Sequence, residues 1–183
     1  MGTQYDDLSE PLTRFIEKQH IFFSGSAARE GKINVSPKGM DSLRVLSSNR
    51  IIWRNFTGSG NETATHLADS PRMTLMWCAF EGPPTILRVY GAARAVHRND
   101  PDWAELDGHF APNPAARQVF DLSIEMVQKS CGYAVPEMDF KQDRTVLVDW
   151  AEKKGEDGIR DYWATRNTRT LDGVPTHIAE KNL

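Results

Sequence analysis

The sequence predicts a mainly β fold, with about seven strands joined by short turns into a closed or partly open barrel and short helices at its periphery. Three observations lead there. Runs of β-branched and aromatic residues recur at short intervals, bounded by Gly, Pro, Asn and Ser. Several of these runs alternate apolar and polar residues with a period of two. There is no regular alternation of strand and helix, which favours antiparallel pairing over a parallel sheet.

The elements follow in order. A helix is expected over Leu8–Gln19, where Leu12, Phe15 and Ile16 share a face and Ser9 or Asp7 is the cap. His20–Ser26 is a strand built on Ile21, Phe22 and Phe23. A turn at Arg29–Lys32 leads into Ile33, Asn34 and Val35. Pro37 cannot donate to a ladder, so it ends that strand or places it at an edge. Leu43–Leu46 and Arg50–Thr57 are strands on either side of a tight Ser47-Ser48-Asn49 turn. Arg72–Phe80 carries Met73, Leu75, Trp77 and Ala79 on one face and Thr74, Met76, Cys78 and Phe80 on the other. Both faces are mostly apolar, which predicts burial on both sides. After Gly82-Pro83-Pro84, Thr85–Val96 is a long strand in which Gly91 marks a bulge or bend. Pro101–Leu106 reads as a helical turn and Val119–Met126 as a strand. Arg144–Lys153 and Gly158–Arg166 read as helices, the first with Leu147 and Trp150 inward.

The 183 residues fit a single domain, 1–183, in which 140–183 is a helical C-terminal extension. With 22 basic against 25 acidic residues there is no footprint for nucleic acid. No apolar run reaches transmembrane length, and the polar, acidic start does not fit a signal peptide. Cys78 and Cys131 make neither a disulfide framework nor a ligand spacing. The expectation is a cytoplasmic protein without a nucleic-acid or membrane partner. His20, His66, His97, His109 and His177 show no metal spacing, so no metal site is expected. Ser24-Gly25-Ser26 lacks the flanking glycines of a nucleophile elbow.

The stretch Trp53 to Thr63 is the most informative. An apolar strand ends in Gly58-Ser59-Gly60, and the turn opens a helix over 61–68. Ser59 and Glu62 fit a capping box, and Glu62 is placed to pair with His66 one turn on. The glycines permit positive φ and close approach of the backbone. Free N–H groups, the hydroxyls of Thr57, Ser59 and Thr63, and the helix dipole together form a cradle suited to a phosphate. A dinucleotide fingerprint is excluded, because no βαβ unit is present and Thr63 stands at the third glycine position.

The segment Ile33 to Gly39, the Asp69-Ser70-Pro71-Arg72 turn and the run Leu87 to Gly91 occur in an order that resembles the pyridoxamine 5′-phosphate oxidase-like family, the FMN-binding split β-barrels. The resemblance covers residues 8 to about 97. The tail, with Ser130 to Pro136 and Leu171 to Pro175, resembles a sub-branch of that family. It implies a homodimer with FMN between protomers, an oxidoreductase acting on a small molecule, and hydride or electron exchange at the flavin N5. By position, the first flavin-contacting strand falls on Asn34, Val35, Ser36, Pro37 and Lys38, and the second on Phe56 and Thr57. Ser59, Asn61 and Thr63 fall on the phosphate turn, and Trp53 lies just before it. Asn167-Thr168-Arg169 and the nearby Trp163 are the tail residues placed to reach a flavin at the interface.

One departure matters. The family's phosphate clamp is an Arg-Lys pair, and its positions here hold Glu62 and Thr63. A carboxylate facing a phosphate repels it. Either Glu62 turns back to its capping box while Ser59, Asn61, Thr63 and the backbone take the phosphate, aided by Lys38 or Arg54, or the site has lost FMN. The donor-rich turn favours the first. The arginine and histidine that position pyridoxal phosphate in the family's C-terminal region are not recognisable, which argues against a true pyridoxamine phosphate oxidase. Alternatives on the same fold are a deazaflavin or haem ligand, or a non-catalytic flavin storage or sensing protein.

Overall fold

The structure is a computed structural model describing residues 2–183. Eight antiparallel strands form one sheet: β1 (Thr3–Tyr5), β2 (Phe22–Ser26), β3 (Asn34–Lys38), β4 (Leu43–Ser47), β5 (Arg50–Phe56), β6 (Arg72–Cys78), β7 (Thr85–Val96) and β8 (Ala116–Cys131). Their order is β3-β2-β6-β7-β8-β5-β4, with β1 also paired to β8. The long strand β8 organises the sheet. One edge pairs with β7 along its length, while β5 and β1 share the other. The sheet does not close, since β3 and β4 end it without pairing to each other. It curls nonetheless: Phe22 of β2 meets Trp53 of β5 edge to face at 5.9 Å, and Trp53 lies 4.4 Å from Phe120 of β8.

Gly91 is where the bend was expected. Pairing of β7 with β8 shifts between Tyr90 and Gly91, and a Cβ at Gly91 would sit 1.9 Å from the Ser123 carbonyl oxygen. Only glycine lets the two backbones approach so closely. Pro37 lies within β3, which is an edge strand, so its missing N–H breaks no central ladder.

Five helices surround the sheet: α1 (Glu10–Glu17), α2 (Glu62–Asp69), α3 (Trp103–Asp107), α4 (Val146–Arg166) and α5 (Ile178–Asn182). Helix α1 begins with Pro11 in its first turn, and the Ser9 carbonyl accepts from the N–H groups of Leu12 and Thr13. Leu12 and Ile16 of α1, with Ala64 and Leu67 of α2, pack against Leu75, Trp77, Leu87 and Phe120 in the main core. Leu106 of α3 joins a second cluster with Ile52, Val96 and Val119. A third unites Ala151, Ile159 and Trp163 of α4 with Ile178 of α5 and Ala115. Helix α4 breaks at Gly155 (φ 68°, ψ 173°), which separates the two helical stretches read from the sequence.

Several expectations differ from the fold. Strand β1 was not anticipated, and β8 runs well beyond both ends of Val119–Met126. Strand β6 is buried on one face only: Met73, Leu75 and Trp77 are inside, while Thr74, Met76 and Cys78 are half-buried. Trp150 is likewise half-buried rather than core. No capping box forms, because α2 has no side-chain cap at its start. Among the described residues no helix is long and apolar enough to cross a membrane, and no group of His, Cys, Asp or Glu is arranged to hold a metal ion.

Candidate functional site

A cleft of about 1330 Å³ opens where the end of β3 meets the turn after β5. That exceeds the roughly 300–1,000 Å³ of ordinary small-molecule pockets. Pro37 and Lys38 come from β3, and Thr57 and Gly58 from the turn. Phe15 of α1 and Trp150 and Tyr162 of α4 line it as well, together with residues 138–140 and 142–144. The segment after β8 is strapped down beside it. Met138 N–H donates to the Phe80 carbonyl (3.0 Å), Phe140 N–H to Glu81 (3.1 Å), and the Phe140 ring stacks on His20 at 3.6 Å.

Two cations lack an acidic partner here: Lys38, half-buried on the cleft wall, and Arg117, buried outside the cleft lining. Lys38 Nζ donates to Asn55 Oδ1 (3.2 Å) and sits 5.1 Å from the centre of the Trp53 ring. Burial, and then the neighbouring Arg117 guanidinium, lower its ammonium to about 8. Arg117 is enclosed completely, and burial lowers it to about 10. No carboxylate acts on either group. Asn55 also donates to Gln118 Oε1 (3.0 Å), leaving Gln118 Nε2 unpartnered, like Arg117 Nε and both polar atoms of Asn61. Buried polar atoms without partners are few in folded proteins, and among the described residues four of the seven belong to Asn61, Arg117 and Gln118.

The position of Arg117 has a local cause. Pairing of β5 with β8 steps from Asn55–Gln118 to Phe56–Ala116, which makes Arg117 the extra residue of a bulge. Bulges re-aim side chains. Arg117 thereby reaches the glycine turn, where Nη2 donates to the Gly60 carbonyl (3.0 Å) and Nη1 to Asn167 Oδ1 (2.9 Å).

The residues singled out from the sequence divide into groups. Lys38, Pro37 and Thr57 share the cleft. Ser59, Asn61 and Thr63 continue from it along the turn into α2. Asn34 Nδ2 donates to Thr63 Oγ1 (3.2 Å) and Ser36 to Asn34 Oδ1 (3.2 Å), which links the edge strand to the helix. Val35 is exposed on the opposite face of β3. Phe56 packs against the third cluster. Trp53 and Trp163 have no exposed surface, so neither presents a face to a ligand in the cleft. Trp53 instead packs beneath Lys38, and Trp163 Nε1 donates to Thr57 Oγ1 (2.9 Å). Thr57 gives its own hydroxyl hydrogen to the Ala115 carbonyl (3.1 Å), so it shapes the turn rather than offering a donor. Arg169 is exposed and donates to Gly173 within the tail hairpin, away from the cleft.

Two further details depart from the sequence reading. Glu62 does not cap α2; its carboxylate accepts from Leu171 N–H (3.1 Å), and His66 pairs with Ser26 (3.1 Å). Neither Gly58 nor Gly60 takes a positive φ. Asn167, in the expected Asn167-Thr168-Arg169 stretch, reaches the glycine turn, whereas Arg117, Asn55, Gln118 and Tyr162 were not anticipated at all. The one available signal was Arg117-Gln118 interrupting the apolar run Ala115 to Phe120.

The family model for pyridoxamine 5′-phosphate oxidase matches residues 8–131. The pyridoxamine 5′-phosphate oxidase family protein ustO of Aspergillus flavus is 36% identical over 191 aligned positions, covering 93% of this chain and 76% of that protein. Among solved structures, a Lactobacillus delbrueckii protein described as a candidate pyridoxamine 5′-phosphate oxidase superposes with a TM-score of 0.53 at 19% identity. The match spans 67% of this chain and 94% of the other. A single-residue variant of HupZ from Group A Streptococcus gives 0.51 at 16% identity, over 67% and 98% of the two chains. At these identities the structural likeness speaks for the fold alone.

Proposed function

The chain belongs to the pyridoxamine 5′-phosphate oxidase family, and from that premise we propose that it is an FMN-binding flavoprotein, an oxidoreductase acting on a small molecule rather than a true pyridoxamine phosphate oxidase. One observation carries the reading: Lys38, half-buried in the cleft, feels the charge of the fully buried Arg117, and no carboxylate acts on either. Two like charges out of water are costly until an anion neutralises them. A phosphate-bearing ligand does so, and the unpartnered atoms of Asn61 add hydrogen-bonding capacity. These residues suit the phosphate end of FMN despite the loss of the family's Arg-Lys pair. Glu62 is no obstacle, because its carboxylate is engaged by Leu171 N–H. A bound flavin supplies the hydride or electron step itself, so the protein needs no acid–base dyad of its own. Lys38 fixes positive charge at the inner end, and Trp150 and Tyr162 line the cleft where a substrate has room beside a flavin.

The visible spectrum of the protein as purified tests this, followed by the mass of any released chromophore. The expected result is a flavin spectrum and FMN near one per chain. A Soret band would replace the reading with haem, and a colourless protein that ignores added FMN would overturn it. Bound flavin that no nicotinamide donor reduces would favour storage or sensing over catalysis.

The proposed partner is a second copy of the chain. On the outer face of the sheet, Pro37, Phe23, Met76, Arg88 and Gln128 lie in one cross-strand row, and Val35, Gly25, Thr74, Tyr90 and Met126 in the next. These apolar side chains join none of the three core clusters. Strand β6 has the two-sided apolar pattern of a strand covered on both faces. Light scattering is expected to give twice the 20.6 kDa of one chain, and Met76→Glu to give the single mass. A monomeric wild type at micromolar concentration would refute it.

A further inference from the structure

Resting on the phosphate reading, the geometry points to Asn167 and Arg117 as positioning residues that turn three consecutive backbone N–H groups, those of Ser59, Gly60 and Asn61, toward the anionic group of the ligand. Asn167 Nδ2 donates to the carbonyl oxygens of Gly58 (2.9 Å) and Ser59 (3.2 Å), and Arg117 Nη2 to that of Gly60 (3.0 Å). In a trans peptide the C=O and the following N–H point in opposite directions, and no peptide bond here is cis. Three carbonyls drawn to the Asn167–Arg117 side therefore send the N–H groups of Ser59, Gly60 and Asn61 to the other side. None of the three finds a protein acceptor. They lead into the eight-residue helix α2, whose own first N–H groups extend the donor array. A second observation falls at the same spot: Asn61 is buried, and neither its Oδ1 nor its Nδ2 has a partner.

Asn167 itself is held on every side. It ends helix α4, with its N–H donating to the Trp163 carbonyl (3.2 Å). Its Oδ1 accepts from Arg117, and its carbonyl accepts from Thr176 Oγ1. It lies beyond the stretch matched by the family model. The C-terminal segment thus completes, within the same chain, a phosphate turn that lacks the family's clamp.

Asn167→Asp separates positioning from folding. The side chain keeps its size and its contact with Arg117, but an acceptor now faces two carbonyl oxygens, and the turn must rotate away. The readout is the ratio of FMN to riboflavin affinity, since riboflavin lacks only the phosphate. This ratio is expected to fall by tenfold or more, with riboflavin affinity and far-UV circular dichroism unchanged. Equal losses for both ligands would make Asn167 a structural residue only, and an unchanged ratio would overturn the inference as well. Inorganic phosphate is the second probe. It is expected to raise the melting temperature of the wild type and not of the variant. A wild type that responds to phosphate but not to FMN, with the response lost in the variant, would keep the positioning role while overturning the flavin. A wild type that responds to neither would overturn both.

Discussion

Replacing Lys38 with methionine is expected to make the ligand-free protein more stable while depriving it of its anionic ligand. The ammonium is lowered from its ordinary 10.5 to about 8, first by burial and then by Arg117. A base whose folded value is depressed destabilises the fold while it is charged. That cost is complete below pH 8 and disappears as the pH rises from 8 to 10.5, where the unfolded chain binds the extra proton. At pH 7, Lys38→Met removes it. The shift corresponds to about 3 kcal/mol at 1.36 kcal/mol per unit, reduced to about 2 kcal/mol by the part of the side chain still in water. A gain of that size raises the melting temperature of a chain this long by about 6 °C. The gain should shrink toward pH 10.5.

Ligand binding moves the opposite way. An anion beside Lys38 favours the protonated amine, so wild-type affinity should fall as pH climbs through about 8. The methionine variant should show no step there, and at pH 7 it should bind FMN roughly thirtyfold more weakly, about 2 kcal/mol. Thermal unfolding and fluorescence titration across pH 6.5–9.5 read both effects. A variant that is less stable, or that keeps the affinity and its pH step, would show that Lys38 is a structural charge.

The strands were readable because their cause is local. Ile21 to Phe23, Arg50 to Phe56 and Thr85 to Val96 carry β-branched and aromatic residues whose pattern survives in any context. Gly91 was readable for a similar reason, as an interruption that only a close backbone approach explains. β1 was not, because Thr3-Gln4-Tyr5 is short and exposed and exists only where β8 leaves an edge free beyond β5. The turn at Gly58 to Gly60 was correctly suspected of having free N–H groups, but for the wrong reason. They are free because Asn167, more than a hundred residues away, holds the carbonyls, and not because the glycines take positive φ. Arg117 was missed because a bulge aims it: Arg117-Gln118 interrupts an apolar run, but nothing in the sequence says which way the side chain turns. Glu62 illustrates the same limit. Its spacing from Ser59 fits a capping box, yet Leu171 N–H takes the carboxylate once the tail is folded against the turn.

Trp163→Ala is expected to cost about 3–5 kcal/mol. The indole has no exposed surface and anchors the third cluster between α4, α5 and Ala115. The Arg98 guanidinium lies 4.9 Å from its centre, and its N–H satisfies Thr57 Oγ1 at 2.9 Å. Alanine leaves a cavity too large for Ile159 and Ala151 to close and removes the apolar cover from Arg98. Against a total of roughly 5–15 kcal/mol for a domain, that loss leaves the fold marginal. Trp163→Phe separates the two contributions. It keeps an aromatic ring in the cluster but deletes the N–H and part of the indole volume, which puts its cost at about 1–3 kcal/mol. Because Asn167 caps the same helix one turn on, the phenylalanine variant should hold the tail in place and retain FMN. The alanine variant should free the tail and bind FMN more weakly, so that only saturating FMN restores part of its stability through mass action. Urea unfolding with and without FMN measures all of these. A loss below 1 kcal/mol for Trp163→Ala would mean that α4 does not carry the tail to the phosphate turn, and Asn167 could not then act as its brace.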